Sequence, residues 1–142
     1  MILLDTNVIS AVMAPKPLSA LLNWLNENDT VSLYISTITV AEISYGLRVL
    51  PAGKRRRTLE NRFESFIAKG FEQRMLNFDD SAARQYAEVM GYRKETGRPM
   101  GILDGQIAAI AHVSDLILVT VNVKDFAWFT DLKVENWMKR RS

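Results

Sequence analysis

The sequence has no cysteine, only one histidine and no long run of apolar residues. Without cysteine, a disulfide framework and a thiolate zinc site are excluded, and the composition is compatible with a reducing compartment. A membrane helix needs about 18 consecutive apolar residues, and no stretch approaches that length. The amino terminus carries no basic segment and reaches an acid at Asp5, which argues against a signal peptide. We therefore expect a cytoplasmic protein that does not contact a membrane.

The sequence also has little net charge. Eighteen basic and sixteen acidic residues give +2, a surplus that does not by itself indicate a nucleic-acid partner. The basic residues are clustered, however, and six of them lie close together around a single acid, Glu60: Arg48, Lys54, Arg55, Arg56, Arg57 and Arg62. A second cluster occupies 139–141. Either cluster could contact phosphates or an acidic protein, or could be a solvated helix face and a tail.

Short apolar runs alternate with segments of helical spacing. A length of 142 residues, 48% of them apolar and 24% charged, is typical of one globular domain, here 1–142. Strands are predicted at 2–4, 31–35, 74–78, 117–121 and 134–137, and helices at 18–25, from the second strand through Leu50, and at 54–68, 81–95 and 102–112. This alternation predicts an α/β fold with three αβα layers and a central, mostly parallel sheet of four to five strands.

Acidic residues follow the ends of predicted strands, where such sheets have their functional crevice. Asp5 directly follows the first strand. It could be the N-cap of a helix, although Asn7 could serve that role equally well. An acid at the end of a buried strand is partly desolvated, which raises its pKa unless a cation balances the charge.

Glu42 lies on the long helix after the second strand, in one stripe with Ile38, Tyr45 and Val49. A carboxylate thus interrupts an otherwise apolar face. The alternative is a capping box, because Thr39 followed by Glu42 matches the S/T-x-x-E pattern. Both interpretations place Glu42 in the opening turn of the helix.

Asp104 begins a run of small residues that would let its helix lie close to the sheet, and it too could be an N-cap. Past the fourth strand, Thr120 and Asn122 could hydrogen-bond a ligand. Asp125 could add a carboxylate, but a turn is the favoured interpretation.

Three carboxylates at one sheet edge would repel one another unless a divalent cation lay among them. Oxygen ligands without cysteine favour Mg²⁺, with Mn²⁺ as the other candidate, over zinc. His112 lies about 12 Å along the helix from Asp104, too far to share its metal.

Three motifs together are similar to the PIN-domain ribonucleases of VapC and FitB type: residues 3–7 (LLDTN), 39–42 (TVAE) and 104–109 (DGQIAA). The resemblance extends over essentially the whole chain and includes the closing cluster of Thr120, Asn122, Asp125 and Phe126. It implies a PIN-like αβα fold.

The resemblance also implies the site residues. Asp5, Glu42 and Asp104 would be the metal-binding acids, with Asp5 and Asp104 as the direct ligands, and Thr120 matches the hydroxyl of the family. Asn122 occupies a position where the family often has a fourth acid. With an amide in place of this acid, a second metal ion would have one carboxylate ligand fewer, and Asp125 could provide that carboxylate instead.

The function implied by the resemblance is that of a metal-dependent endoribonuclease, the toxin of a type II toxin–antitoxin pair. Its expected partners are RNA, a second copy in a homodimer, and a cognate antitoxin whose tail fills the active groove and which alone contacts operator DNA. An apolar stripe on the helix predicted at 54–68 would suit such contacts, or core packing: Leu59, Phe63, Phe66 and Ile67.

Two other functions were weighed. A phosphatase of the haloacid-dehalogenase type also has an Asp after its first strand, but it has a second Asp two residues later, where this chain has Asn7. A non-catalytic, PIN-like module that binds RNA or forms complexes is the stronger alternative, because fold does not fix function and Asn122 departs from the family pattern.

Overall fold

The computed structural model describes residues 1–28, 32–126 and 131–138. Strands and helices alternate along these residues. In chain order they are β1 (Ile2–Leu4), α1 (Thr6–Met13), α2 (Ser19–Glu27), β2 (Leu33–Ser36), α3 (Thr37–Arg48), α4 (Lys54–Gly70), β3 (Met75–Leu76), α5 (Asp80–Glu95), α6 (Ile102–Val113), β4 (Ile117–Val119), α7 (Val123–Phe126) and β5 (Val134–Glu135).

The five strands form one sheet in the order β3-β2-β1-β4-β5, and every neighbouring pair is parallel. β1 is central: Ile2 lies opposite Leu33 of β2 and Ile117 of β4. Because parallel strands need crossover connections, helices cover both faces of the sheet, and β1 and β4 are apolar throughout. The predicted α/β fold with a parallel sheet and three layers is confirmed.

Alternate side chains of each strand enter two separate cores. Ile2 and Leu4 pack with Trp24 and other residues of α1 to α4 on one face. Leu3 packs with Ile110 and other residues of α5 and α6 on the opposite face. The period of two along a strand therefore divides one apolar run between two layers. No helix in the described ranges is long and apolar enough to cross a membrane.

The winding of the sheet reverses between β1 and β4. The chain runs outward from β1 through β2 to β3, then returns to β4 and continues to β5. Open α/β sheets bind ligands in the crevice at such a reversal, beyond the carboxyl ends of the strands. Asp5 follows β1 and Thr120 follows β4, and the N–H of Asp5 donates to the carbonyl of Val119 at 2.9 Å. The topology thus brings these two residues to the crevice.

Helix α1 was not predicted. The turn expected at residues 5–7 is instead the start of a helix, in which Asp5 has the extended N-cap conformation and Thr6 and Asn7 are the first helical residues. Short polar side chains usually favour turns because they compete with the backbone for hydrogen bonds. Here Thr6 and Asn7 bond to other elements instead.

Several strand bounds differ from the prediction. β2 begins at Leu33 rather than at Val31, which lies outside the described residues, and β4 ends at Val119. β3 and β5 have two residues each and form the edges of the sheet. Short edge strands limit pairing with other chains, and they leave a weak sequence signal. The basic cluster at 139–141 lies outside the described residues.

The two apolar stripes behave differently. On α4, Phe63 is buried and Phe66 and Ile67 pack against the same core, so the core-packing interpretation is confirmed for them. In the stripe that Glu42 interrupts, Ile38 packs against the core, whereas Tyr45 of α3 and Val49 at its C-cap are 70% and 59% exposed. The buried face of α3 carries other residues, chiefly Thr39 and Ile43.

Gly105 allows α5 and α6 to pack closely. A Cβ at this position would lie 2.5 Å from Sδ of Met90 and 3.1 Å from Cε1 of Tyr86. These distances are shorter than van der Waals contact, so a larger residue would force the Met90 and Tyr86 side chains to shift. Because Asp104 precedes Gly105, this packing also fixes where the Asp104 side chain begins.

We expect Gly105→Ala to destabilise the fold. Relative to Gly91→Ala, it should lower the free energy of unfolding by about 1–3 kcal/mol, because overpacking outweighs the gain in helix propensity. Gly91 is the matched control: it lies in α5 and a Cβ there would meet nothing within 4 Å. Urea unfolding measures both variants. Equal stability of the two would contradict the close packing.

Candidate active site

Asp5 is held at the crevice by a hydrogen bond that has no capping role. It occupies the N-cap position of α1, yet its side chain makes no cap hydrogen bond. Instead, Oδ2 of Asp5 accepts from the Thr120 hydroxyl at 2.8 Å. The side chain is 4% exposed. Asp5 is therefore the N-cap residue of α1, as the alternative interpretation held, but its side chain does not cap the helix and is held at the crevice by Thr120 instead.

Thr120 links three segments through one buried hydroxyl. While it donates to Asp5, its oxygen accepts from Nδ2 of Asn7 at 3.1 Å and from the backbone N–H of Asn122 at 3.0 Å. A hydroxyl has one hydrogen to donate and two lone pairs to accept with, so its bonding capacity is filled. Thr120 therefore fixes the orientation of the Asp5 carboxylate, and Asn7 is not a helix cap.

Glu42 is positioned by a chain of hydroxyl groups. Its Oε1 accepts from the Thr6 hydroxyl at 2.7 Å, and the hydroxyls of Thr6 and Thr39 are 2.9 Å apart. Since the Thr6 proton is directed to Glu42, Thr39 donates to Thr6. Hydrogen bonds in such a chain polarise one another and strengthen the last one.

The capping box predicted at Thr39 and Glu42 is wrong. Helix α3 begins two residues before Thr39, and its N-cap is Ser36, whose side chain accepts from the N–H of Thr39 at 3.1 Å. Thr39 is thus the third helical residue and Glu42 lies in the second turn. Its carboxylate is directed to Thr6 of α1 and has no role in closing the helix end.

Asp104 lies in the first turn of α6, but the N-cap is Gly101. The N-cap interpretation of Asp104 is therefore also wrong. A carboxylate in the first turn still interacts favourably with the positive end of the helix dipole. Asp104 is half-buried, and its charge acts on Asp5.

Burial raises the pKa of two of the acids. It raises the pKa of Asp5 to about 6; the charges of Asp104 and Glu42 add to the shift, and the Thr120 hydrogen bond opposes it. Burial also raises the pKa of Asp104, with Glu42 and Asp125 contributing and Arg93 opposing. The charges of Asp5, Glu42 and Asp104 therefore act on one another at this edge of the sheet, and a metal site formed by them stays a prediction.

The remaining predicted residues flank this group. Asn122 is exposed and contributes its N–H to Thr120. Asp125 lies in the one-turn helix α7 rather than in a turn, and its carboxylate acts on Asp104. Among the described residues, no three acids or histidines form a ready-made metal cage. The oxygen donors of Asp5 and Asp104 suit a cation that keeps most of its waters, as Mg²⁺ does with one or two carboxylates.

Two grooves open beside the acids. One, of about 360 Å³, lies between α1, α3 and α4; Thr6, Glu42 and Arg55 provide its polar lining, and Leu47 and Leu59 belong to its apolar wall. The other, of about 430 Å³, includes Asn122, Lys124 and Asp125. The first groove thus includes Glu42 and the second includes Asp125.

Three residues of the site were missed or misinterpreted from the sequence. The sequence predicts a turn at Thr6 and Asn7, whereas Thr6 donates to Glu42 and Asn7 donates to Thr120. No motif indicates Arg93, which is buried and interacts with Asp104 and Asp125. The helical spacing of the sequence indicates that Arg93 is buried, because Arg93 continues the stripe of Ala82 and Val89 that faces the core.

The fold and the acids together define a class of protein: an α/β domain with buried carboxylates at the switch point of a parallel sheet. Residues 2–128 match the model of the family described as "PIN domain". The chain belongs to the PIN-domain family, as its motifs predicted.

Named relatives extend over most of the chain. It is 41% identical over 126 residues to the "VapC ribonuclease Y4jK" of Sinorhizobium fredii, covering 89% of this chain and 90% of the relative. It is 39% identical to the "Toxin FitB" of Neisseria gonorrhoeae, covering 89% and 91%. The solved "Structure of FitAB bound to IR36 DNA fragment" aligns with a TM-score of 0.88 at 37% identity, covering 96% of this chain and 95% of that one.

The raised pKa of Asp5 makes stability depend on pH in metal-free buffer. Below about pH 4 the carboxyl group is protonated in both states and contributes nothing. As the pH rises from about 4 to 6, the Asp5 carboxyl group ionises in the unfolded state before it does so in the folded state, so the free energy of unfolding falls. Above about pH 6 the group is ionised in both states, and the free energy of unfolding stays at this lower level.

We therefore expect Asp5→Asn to be more stable than the wild type above pH 6, by about 2–3 kcal/mol, with no difference arising from this titration below about pH 4. Urea unfolding across this pH range in EDTA measures the difference. A difference that does not change with pH would contradict the buried, raised carboxyl group.

Proposed function

We propose that this chain is a Mg²⁺-dependent endoribonuclease, the toxin component of a type II toxin–antitoxin system, and that residues 1–142 form one PIN domain. The single observation that carries the proposal is that Asp5 and Asp104, whose pKa values burial raises, interact with each other and with the charge of Glu42 at one crevice. The relatives named a VapC ribonuclease and a FitB toxin support it independently.

Asp5 and Asp104 would hold the cation, for which Mn²⁺ could substitute. A bound divalent cation offsets negative charge that develops on the phosphate oxygens and lowers the pKa of water. Thr120 directs the Asp5 carboxylate toward the crevice, and the packing at Gly105 sets the position of Asp104. The backbone N–H of Asn122 donates to Thr120. The side chain of Asn122 is an amide, where the family often has a fourth acid.

Glu42 is the residue proposed to orient and deprotonate the attacking water. The Thr6 hydroxyl binds one of its carboxylate oxygens, which leaves the other free to accept a proton. General-base catalysis by a positioned carboxylate typically contributes about 10²–10⁴ in rate. Glu42 is thus the residue that takes up a proton in the proposed catalytic set of Asp5, Glu42, Asp104, Thr120 and Asn122.

RNA would lie along the groove beside Glu42. Arg55 lines this groove next to Thr6 and Glu42, and the first turns of α4 carry further basic residues. Lys and Arg contacts to phosphates give affinity that falls with rising salt. On this proposal the basic cluster contributes binding, with the scissile phosphate at the carboxylates.

The same groove suits the tail of a cognate antitoxin, because its wall is largely apolar and it opens directly beside the active site. Operator DNA would be contacted only through the antitoxin, in line with a neighbour solved as FitAB bound to DNA. A homodimer is also proposed, and the exposed face formed by Tyr45 and Val49 supports it. A cytoplasmic location belongs to the same proposal, because RNA and operator DNA would be met there.

Cleavage of a defined set of RNAs by the purified, antitoxin-free chain tests the function. We expect cleavage with Mg²⁺, none with EDTA, and a loss of about a hundredfold or more in Asp104→Asn, because the site loses a charge that holds the cation. Asp80→Asn is the control, since Asp80 is an exposed acid paired with Arg84 on the surface.

Cleavage in EDTA, or undiminished cleavage by Asp104→Asn, would contradict the proposal. Absence of cleavage together with intact Mg²⁺ binding would favour the alternative, a non-catalytic PIN-like module that binds RNA or forms complexes.

The role of Thr6 gives a second test. We expect Thr6→Val to lower kcat for RNA cleavage by about tenfold with little change in KM, because Glu42 loses its orienting donor but the RNA contacts remain. Thr6→Ser keeps the hydroxyl and should retain most of the activity. Equal kcat values for Thr6→Val and Thr6→Ser would exclude a positioning role for this hydroxyl.

A further inference from the structure

A third groove lies along α4, next to the one that contains Glu42. Its volume is about 460 Å³, and we call it the α4 groove. Its lining residues come from α4 and from the loop after α1: Lys54, Arg55, Thr58, Leu59, Arg62 and Pro15. Arg55, Leu59 and Pro15 also line the groove beside Glu42. The two grooves are therefore neighbours, with Arg55 at their boundary.

The α4 groove carries positive charge that no acid in its lining offsets. Three of its lining residues are cationic, and none of the described ones is acidic. The side chains of Lys54 and Arg55 are exposed and form no ion pair with a described residue. The next residue, Arg56, is instead paired with Glu60 at 3.5 Å. Because a cleft lined by charges of one sign concentrates the electric field, the α4 groove should attract an anionic ligand.

Arg62 is held in place at the end of the groove that is farther from Arg55 along the helix. Its Nη1 donates to the carbonyl of Met13 at 3.3 Å and to that of Ala14 at 3.4 Å, at the carboxyl end of α1. Both acceptors are neutral, and a guanidinium group has five N–H donors, so its charge and most of its donors stay available to a ligand. A side chain that is already held loses less conformational entropy when it binds a phosphate.

The cations are spaced for several phosphates rather than for one. Arg55 and Arg62 both line the groove and lie two helical turns apart, which is about 10 Å along the axis. Neighbouring phosphates in one strand of a stacked nucleic acid are about 3.4 Å apart along its axis. The α4 groove is therefore long enough for about three nucleotides of one strand.

The ligand that fits this charge and position is the RNA strand itself. A strand whose scissile phosphate lies at the carboxylates can pass Glu42, reach Arg55 and continue into the α4 groove, because the two grooves share that boundary. The rest of the lining consists of the Pro15 and Leu59 side chains and the Thr58 hydroxyl. These groups can contact sugars and bases of any sequence, whereas an acidic peptide has no regular spacing of charge to match the cations.

We propose that the α4 groove is an RNA subsite that binds about three nucleotides on one side of the scissile phosphate, with Lys54, Arg55 and Arg62 on the phosphates. The inference rests on the proposed function, because it concerns the strand that the carboxylates would cut. Cations at phosphates position a strand but do not read its bases. The subsite therefore contributes affinity and register, and it does not select a sequence.

Binding of a short, labelled, single-stranded RNA to the full-length chain in EDTA tests the inference without cleavage. Fluorescence anisotropy at several salt concentrations gives the affinity and the slope of its logarithm against the logarithm of salt concentration. Arg55→Gln should weaken binding about fivefold and reduce the slope by about 0.7, the value for one phosphate contact to a single strand. The combined substitution of Lys54, Arg55 and Arg62 by Gln should reduce the slope by about 2.

Lys69→Gln is the matched control. Lys69 is exposed in the last turn of the same helix and outside the lining of the groove, so the substitution removes the same charge without touching the subsite. This variant should keep the affinity and slope of the wild type. Equal losses in Lys69→Gln and Arg55→Gln would overturn the inference, because only net charge would then matter.

Shortened RNAs test where the subsite lies relative to the cut. Removal of about three nucleotides from one end should abolish the difference between the wild type and Arg55→Gln, and removal from the other end should leave that difference unchanged. A difference that survives both truncations would overturn the inference.

Two further outcomes separate the subsite from the nuclease. An unchanged salt slope in Arg55→Gln and in the combined variant, with Mg²⁺-dependent cleavage intact, would overturn only the subsite and leave the groove to an acidic protein partner. RNA binding with the expected slopes, but without cleavage in Mg²⁺, would support the subsite and remove the proposed nuclease.

Discussion

Buried carboxylates repel one another, and in this chain that repulsion is concentrated where the winding of the sheet reverses. Asp5 is nearly inaccessible and its pKa rises to about 6, since burial and the carboxylates of Asp104 and Glu42 all disfavour its charge. This arrangement of charges does not by itself stabilise the fold. The unfavourable charge is the property that makes the crevice suited to a divalent cation and a phosphodiester.

The surrounding structure holds these charges in place without cancelling them. Thr120 binds Asp5 from the end of β4, and Thr6 binds Glu42 from the first turn of α1. Arg93 reaches from the end of α5 to the carbonyl of Asp125 in α7. Each orienting group comes from a different element, so the geometry of the site depends on the packing of the whole domain. That dependence explains why a site of this kind needs a rigid parallel sheet beneath it.

Much of this arrangement could be predicted from the sequence. Apolar runs ending in polar residues indicated the parallel sheet, and the carboxyl ends of its strands indicated where Asp5 and Thr120 would meet. The local roles could not be predicted, because Asp5, Glu42 and Asp104 all fit capping patterns that the structure does not use. Helix α1 was missed because Thr6 and Asn7 bond to residues distant in sequence. Arg93 was missed because its partners are backbone carbonyls, which carry no sequence signal.

The most direct measurement is the pKa of the Asp5 carboxyl group, followed by NMR with and without Mg²⁺. In metal-free buffer the value should be about 6, and with Mg²⁺ it should fall well below that, because a cation beside the carboxylate favours its charged form. A pKa near the ordinary value for aspartate in metal-free buffer, or a raised value that Mg²⁺ leaves unchanged, would contradict a cation site built on buried, mutually repelling carboxylates.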